Sequence, residues 1–183
     1  MKRETWRLAV DGGGTRCRFA LQTSETRHSV MLGAANVTSD FDGAVSTLRA
    51  GLARLAELAR VNVEALAGVP AHLGLAGVMD PQDADRVREA LGLSCATIAD
   101  DRPAAVRGAI GHADGLVAGL GTGSYFARQR DAQIRLVGGW GPRLGDEASG
   151  FWLGRQALAA TLSVVDGIGP ESALTSDILL RFE

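Results

Sequence analysis

An α/β protein with a mixed sheet is what this sequence predicts, and three observations predict it. Three strand-like runs precede the first helical stretch. Strand and helix patterns then alternate to about residue 110. A second β-turn-β unit with its own glycine-rich turn begins at Gly115.

The first run, Trp6 to Val10, is short and apolar. The second, Arg16 to Gln22, alternates, with Cys17, Phe19 and Leu21 on one face. Between them stands Asp11-Gly12-Gly13-Gly14-Thr15, so the two runs read as a hairpin. Three glycines exceed what a tight turn needs. Without Cβ atoms the backbone amides can approach an anion, and Thr15 adds a hydroxyl. Asp11, ending the first strand, is placed to hold a magnesium ion through water. A plain hairpin turn fits the same residues, and the phosphate reading needs support from elsewhere in the chain.

Arg27 to Leu32 reads as a third strand, and Gly33 to Ser39 as a loop containing Asn36. Ser39 and Asp42 have capping-box spacing. Phe41, Val45, Leu48, Leu52, Leu55 and Ala59 recur at helical steps, predicting an amphipathic helix to about Arg60. Ala71 to Leu75 is a short strand running into Ala76-Gly77, where a backbone passes close to something. Asp80-Pro81 opens the next helix and Gly92 closes it. Cys95 to Ala99 is a strand closed by Asp100 and Asp101, and a short helix runs from Pro103 to about Ile110.

The pattern then restarts. The strand from Gly115 to Leu120 ends in Gly121-Thr122-Gly123-Ser124, with Thr122 placed like Thr15. This suggests a duplicated half-fold. Strands follow at Tyr125 to Gln129 and Ile134 to Val137. A glycine-dense loop, Gly138 to Glu147, leads into a helix whose Phe151 and Trp152 are expected in a core. A last helix is predicted within Glu171 to Leu180.

Composition excludes some functions. Net charge is −2, the single lysine is Lys2, and no basic cluster stands out, which argues against nucleic-acid binding. No apolar run is long enough to span a bilayer. The segment Met1 to Trp6 shows no signal-peptide pattern, so a cytoplasmic location is expected. A Rossmann reading wants a helix after the first glycine turn, and a Walker A reading needs a lysine that is absent. Cys17 and Cys95 sit in strand-like contexts and are expected to be buried thiols. His28, His72 and His112 lack metal-ligand spacing.

Four stretches together resemble a known family. They are Asp11 to Thr15; Asp100-Asp101 before an alanine-rich helix; Gly119-Leu120-Gly121-Thr122-Gly123-Ser124; and Gly139-Trp140-Gly141 leading to Gly145-Asp146-Glu147-Ala148-Ser149-Gly150. In this order they resemble the BadF/BadG/BcrA/BcrD-type ATPases of the actin-like superfamily, in the N-acetylglucosamine and glucosamine kinase branch. Where many relatives have glycine, this chain has Ala148.

The resemblance implies an actin-like, ribonuclease H-like lobe over residues 1–112, a mixed five-stranded sheet with flanking helices. Residues 113–183 would be the opening part of a second such lobe. It implies ATP and Mg2+ as cofactors, a small-molecule sugar as substrate and a possible homodimer. Asp11 would position the metal. Gly12, Gly13, Gly14 and Thr15, with Gly121, Thr122, Gly123 and Ser124, would form two phosphate loops facing one another. Asp101 would be the general base, with Asp100 the competing candidate. Asn36, Gly139, Trp140, Gly141, Asp146 and Glu147 would contact the sugar. Asn36 reads equally as a turn residue, and Trp140 equally as core. The expected activity is transfer of phosphate from ATP to the 6-hydroxyl of glucosamine or N-acetylglucosamine. Two alternatives stand beside it: an ATPase activator of an acyl-CoA dehydratase, for which suitable cysteines are missing from the second half, and a sugar-binding fragment without turnover.

Overall fold

A computed structural model describes residues 6–182. The absent signal pattern was read largely on Met1 to Thr5, which lie outside them. Internal contacts divide the chain into two units, one ending at Gly111 and the next beginning at His112.

The first unit is built on a five-stranded sheet. Its strands are β1 (Arg7–Gly12), β2 (Cys17–Gln22), β3 (Arg27–Leu32), β4 (Ala71–Leu75) and β5 (Ala96–Ala99), in spatial order β3-β2-β1-β4-β5. The β1-β2-β3 meander is antiparallel, while β4 and β5 run parallel to β1. The sheet is therefore mixed, as the element order predicts. Three helices accompany it: α1 (Phe41–Leu58), α2 (Pro81–Leu91) and α3 (Asp101–Ile110).

Alternation decides which face holds the core. Leu8 and Val10 of β1, Phe19 and Leu21 of β2, and Leu73 and Leu75 of β4 all point to one side and are buried. Leu48, Leu52 and Leu55 of α1 close over them. The opposite face carries Ala9, Asp11, His72 and Gly74, and there α3 packs on β4 and β1. The hydrophobic stripe predicted for α1 is thus the one that is buried.

Helix ends moved by a residue or two, each for a local reason. The α1 cap is Asp40, whose carboxylate accepts from the Gly43 amide at 2.9 Å. Ser39 is taken up in the preceding turn, its own amide donating to Asn36 Oδ1 at 3.0 Å. The helix stops at Leu58 because Arg60 turns left-handed, with φ 56°. A short 3-10 turn over Val63–Leu66 carries too little pattern to be read in advance. The α3 helix starts two residues before Pro103, since proline is tolerated in a first turn.

The second unit opens with a three-stranded antiparallel meander, β6 (Gly115–Leu120), β7 (Ser124–Arg130) and β8 (Gln133–Gly138). Then come α4 (Gly150–Val165), which packs against α5 (Ala173–Leu179). Phe151, expected in a core, is 51% exposed, and Trp152 is half-buried. Periodicity finds an apolar stripe but not whether a neighbour covers it.

Cys17 is buried, as expected, whereas Cys95 is exposed just ahead of β5. Burial, and then the Asp11 charge, push the Cys17 thiol up to about 12. We expect a thiol reagent at neutral pH to label Cys95 promptly and Cys17 only after denaturation, as mass spectrometry of the labelled protein would show.

Candidate active site

In the first unit, the carboxyl ends of the parallel strands meet at one edge of the sheet. There β1 ends at Gly12, β4 at Leu75 and β5 at Ala99, and this is the edge where α/β sheets collect ligands. Backbone hydrogen bonds sew its loops together. Ala76 N donates to Gly12 O at 2.7 Å, Ala35 N to Gly13 O at 3.1 Å, and Val37 N to Ala76 O at 3.0 Å.

The glycine turn has a divided purpose. Gly12 is buried, and a Cβ there would lie 2.6 Å from Leu75 Cδ2. Packing alone requires that glycine. The Gly13 amide is already used, donating to Arg16 O at 2.9 Å to close the hairpin. Gly14 and Thr15 form the exposed tip. Asp11 is also exposed, facing Arg18 at 3.4 Å across the register pair.

Asn36 is what the strand end at Gly77 passes. Gly77 has φ +87°, and a Cβ there would lie 2.6 Å from Asn36 Oδ1. That oxygen accepts from the amides of Thr38 and Ser39, both at 3.0 Å. Asn36 is therefore a turn residue, its side-chain oxygen spent on two backbone amides. We expect Asn36→Ala to cost about 1 kcal/mol in urea unfolding, since two backbone donors lose their acceptor.

Asp100 and Asp101 are separated by the structure. Asp100 caps α3, accepting from Arg102 N at 3.0 Å. The Arg102 guanidinium also grips it, with Nε at 3.0 and 2.8 Å from its two oxygens and a terminal nitrogen at 2.7 Å. Burial would raise the Asp100 carboxyl, but these hydrogen bonds and the Arg102 charge hold it below the usual carboxylate range. Asp101 goes the other way, raised to about 6. Burial is the main cause, followed by the hydrogen bond and charge of Asp100 and then the charge of Asp11. Asp101 sits over β4, its Cα 3.1 Å from where a Gly74 Cβ would be, and Gly74 is the register partner of Asp11. One sheet edge thus carries Asp11 and Asp101 from adjacent elements.

In the second unit, the Gly121–Gly123 turn and the start of α4 are tied together. Gly121 O accepts from Gly150 N at 2.8 Å and Thr122 O from Phe151 N at 3.3 Å. The Ser124 hydroxyl is buried and donates to Glu147 O at 2.8 Å, which leaves Gly121, Thr122 and Gly123 as the exposed part of the turn. Asp146, 7% exposed, tucks its carboxylate against Gly123, where a Cβ would lie 2.8 Å from Oδ2. Gly139 and Gly141 take φ of 72° and 82°, turning the backbone on both sides of Trp140. Trp140 is 73% exposed, so it is not core, and Glu147 is exposed as well. Ala148 has φ 61°, a conformation that glycine adopts without strain.

Among the described residues, no group of three acidic, histidine or cysteine side chains could cage a metal, and no helix is long and apolar enough to cross a membrane.

Comparison with known proteins places this arrangement. The model of the BadF/BadG/BcrA/BcrD ATPase family matches residues 8–178. The chain belongs to that family. Two family-like enzymes show the range of names. One is the N-acetylmuramic acid/N-acetylglucosamine kinase of Clostridium acetobutylicum, 27% identical over 94% of this chain and 58% of that protein. The other is the glucosamine kinase of Vibrio cholerae serotype O1, 25% identical over 96% of this chain and 60% of that protein. The structure of a candidate N-acetylglucosamine kinase from Chromobacterium violaceum superposes with a TM-score of 0.83 at 32% identity, covering 95% of this chain and 62% of that one. The mixed sheet with flanking helices is therefore the actin-like fold that the motifs imply. This BadF/BadG/BcrA/BcrD-family chain spans about three-fifths of the length of the relatives it matches.

Proposed function

We propose that this chain provides the acceptor-activating and phosphate-holding groups of an ATP-dependent amino-sugar kinase, acting on the 6-hydroxyl of glucosamine or N-acetylglucosamine. One observation carries the proposal. Asp101 stands at the sheet edge with a carboxyl raised to about 6, near Asp11 and hydrogen-bonded to an Asp100 that Arg102 holds. A base so poised is ionised at neutral pH yet holds a proton better than an ordinary aspartate.

The chemistry follows from these roles. Asp101 takes the proton of the sugar hydroxyl as that oxygen attacks the γ-phosphorus. The bond from the γ-phosphorus to the bridging oxygen breaks, and ADP leaves with that electron pair. Gly14 and Thr15 in the first unit, and Thr122 and Gly123 in the second, are assigned to phosphate oxygens; the Gly121 amide, like that of Gly13, already donates within its turn, to Gly123 O at 2.9 Å. Asp146, Glu147, Asn36 and the backbone of Gly139-Trp140-Gly141 are assigned to sugar hydroxyls, which carboxylates accept well.

Asp11 suits magnesium held through water. It is exposed and is one carboxylate rather than part of a cage, and magnesium keeps most of its waters beside substrate phosphates. Bound there, the ion would neutralise phosphate charge.

The test is sugar-dependent ADP release with glucosamine, N-acetylglucosamine and glucose. Turnover with an amino sugar that Asp101→Asn abolishes is the expected result. No sugar-dependent turnover, or an Asp101→Asn protein as active as the parent, would refute the proposal. Sugar binding by calorimetry without turnover would favour a binding role instead.

A further inference from the structure

We propose that Arg102, Asp100 and Gly74 form a positioning device for Asp101, in which Arg102 ties Asp100 into the helix cap and Asp100 in turn holds the Asp101 carboxyl at the sheet edge by a side-chain hydrogen bond. The device rests on the reading of Asp101 as a base, but its geometry is local and can be tested without substrate.

Two acidic residues in succession at a helix start pose a problem. Either can cap, and either can point outward. The structure resolves it with contacts from one residue. Arg102 meets both oxygens of Asp100, and its backbone amide donates to one of them. The guanidinium fork fits a carboxylate with two parallel bonds, which a lysine cannot copy. Both side chains are about four-fifths buried, at 19% and 22% exposure, so water competes weakly for the pair.

Gly74 supplies the third part. Its missing side chain lets the first turn of α3 sit directly on β4, with Asp101 Cα 3.1 Å and Ala104 Cβ 3.5 Å from the position a Cβ would take. A methyl group there would lift the turn carrying Asp101 away from the strand beside Asp11.

The charged and titratable groups facing Asp101 are few. Among the described residues they are Asp100 and Arg102 on its own helix and Asp11 from β1, with Arg18 of β2 paired to it; Arg27 of β3 and His72 of β4 line the same face of the sheet. Arg102 alone lowers the Asp101 carboxyl, while Asp100 and Asp11 raise it.

The experiment is a carbon-13 NMR titration of aspartate carboxyls in the whole chain, with Asp101 assigned by its absence in Asp101→Asn. In Arg102→Gln the Asp101 midpoint should rise by roughly one pH unit, because the one cation is gone and Asp100 is released. In Asp100→Asn it should fall toward the ordinary carboxylate range, the cap being kept because asparagine caps as well as aspartate. Arg102→Lys keeps the charge but not the fork, and should fail to restore the parent midpoint; it also serves if the glutamine variant does not fold. An unmoved midpoint in Arg102→Gln or Asp100→Asn, or full restoration by lysine, overturns the device. Moved midpoints in a protein without kinase turnover would refute the function and leave the device standing. Turnover with unmoved midpoints would do the reverse.

Discussion

Asp101→Asn is expected to lower sugar-dependent turnover by about a thousandfold while making the protein harder to unfold at neutral pH. The first effect follows from the proposed role of Asp101 in taking the acceptor proton, a role typically contributing ~10²–10⁴. The second follows from linkage. The Asp101 carboxyl is raised from 3.8 to about 6 in the folded chain, mainly by burial. Folding therefore favours its protonated form. That contribution is complete below pH 4 and is lost as pH rises through about 6, above which the parent carries the full cost of a half-buried charge. Asparagine never ionises. Its advantage should be absent near pH 4, grow between pH 4 and 6 and level off above that. With solvent screening allowed for, we expect about 1–2 kcal/mol at pH 7. Thermal melts of both proteins at pH 4, 5, 6 and 7 measure this. A gap that does not widen with pH would contradict the raised carboxyl, and unchanged turnover would contradict its role.

Gly51→Ala is the second large effect, and here two forces oppose one another. Gly51 lies inside α1, where alanine is favoured over glycine by about 1 kcal/mol. Yet a Cβ at Gly51 would fall 2.2 Å from Phe19 Cζ and 2.4 Å from Cε1. Phe19 is itself 1% exposed, enclosed by the β1 and β4 core, and its ring has nowhere to go. Forcing an extra methyl into such packing typically costs about 1–3 kcal/mol. Collision should win, with a net loss of about 1–2 kcal/mol and a lower urea midpoint. Gly154→Ala is the matched control. It lies in α4 with nothing within 4 Å of the new atom, so only the helix preference acts and α4 should be stabilised. If both substitutions stabilise, the α1–β2 contact is looser than described.

The two cases show what a sequence can reveal. Alternation in Cys17 to Gln22, helical steps from Phe41 to Ala59, and the Asp80-Pro81 and Gly92 signals are local chemistry, and each appears in the fold where it was expected. The same is true of the mixed sheet, because three strands before any helix leave few other ways to bury their apolar faces. Signals shared by two neighbours were not legible. Ser39 and Asp40 are both good caps, and the choice fell to Asp40 because Asn36 engages the Ser39 amide. Cys95 has apolar neighbours in sequence but stands outside the strand that follows it.

The candidate site divides in the same way. Sequence by itself determined the residue types: two glycine-threonine turns, an acidic pair after a strand and an acidic loop before a helix. Backbone freedom and charge are properties of the residues themselves, so these survive in any arrangement. Only tertiary structure decided their duties. Gly12 is glycine because Leu75 occupies the space beside it. The Ser124 hydroxyl is spent on a loop carbonyl. Asp100 is held by the arginine two residues further on, while Asp101 is the carboxyl that burial raises. Burial, and the partner each polar group finds, depend on atoms distant in the chain, and those only folding brings together.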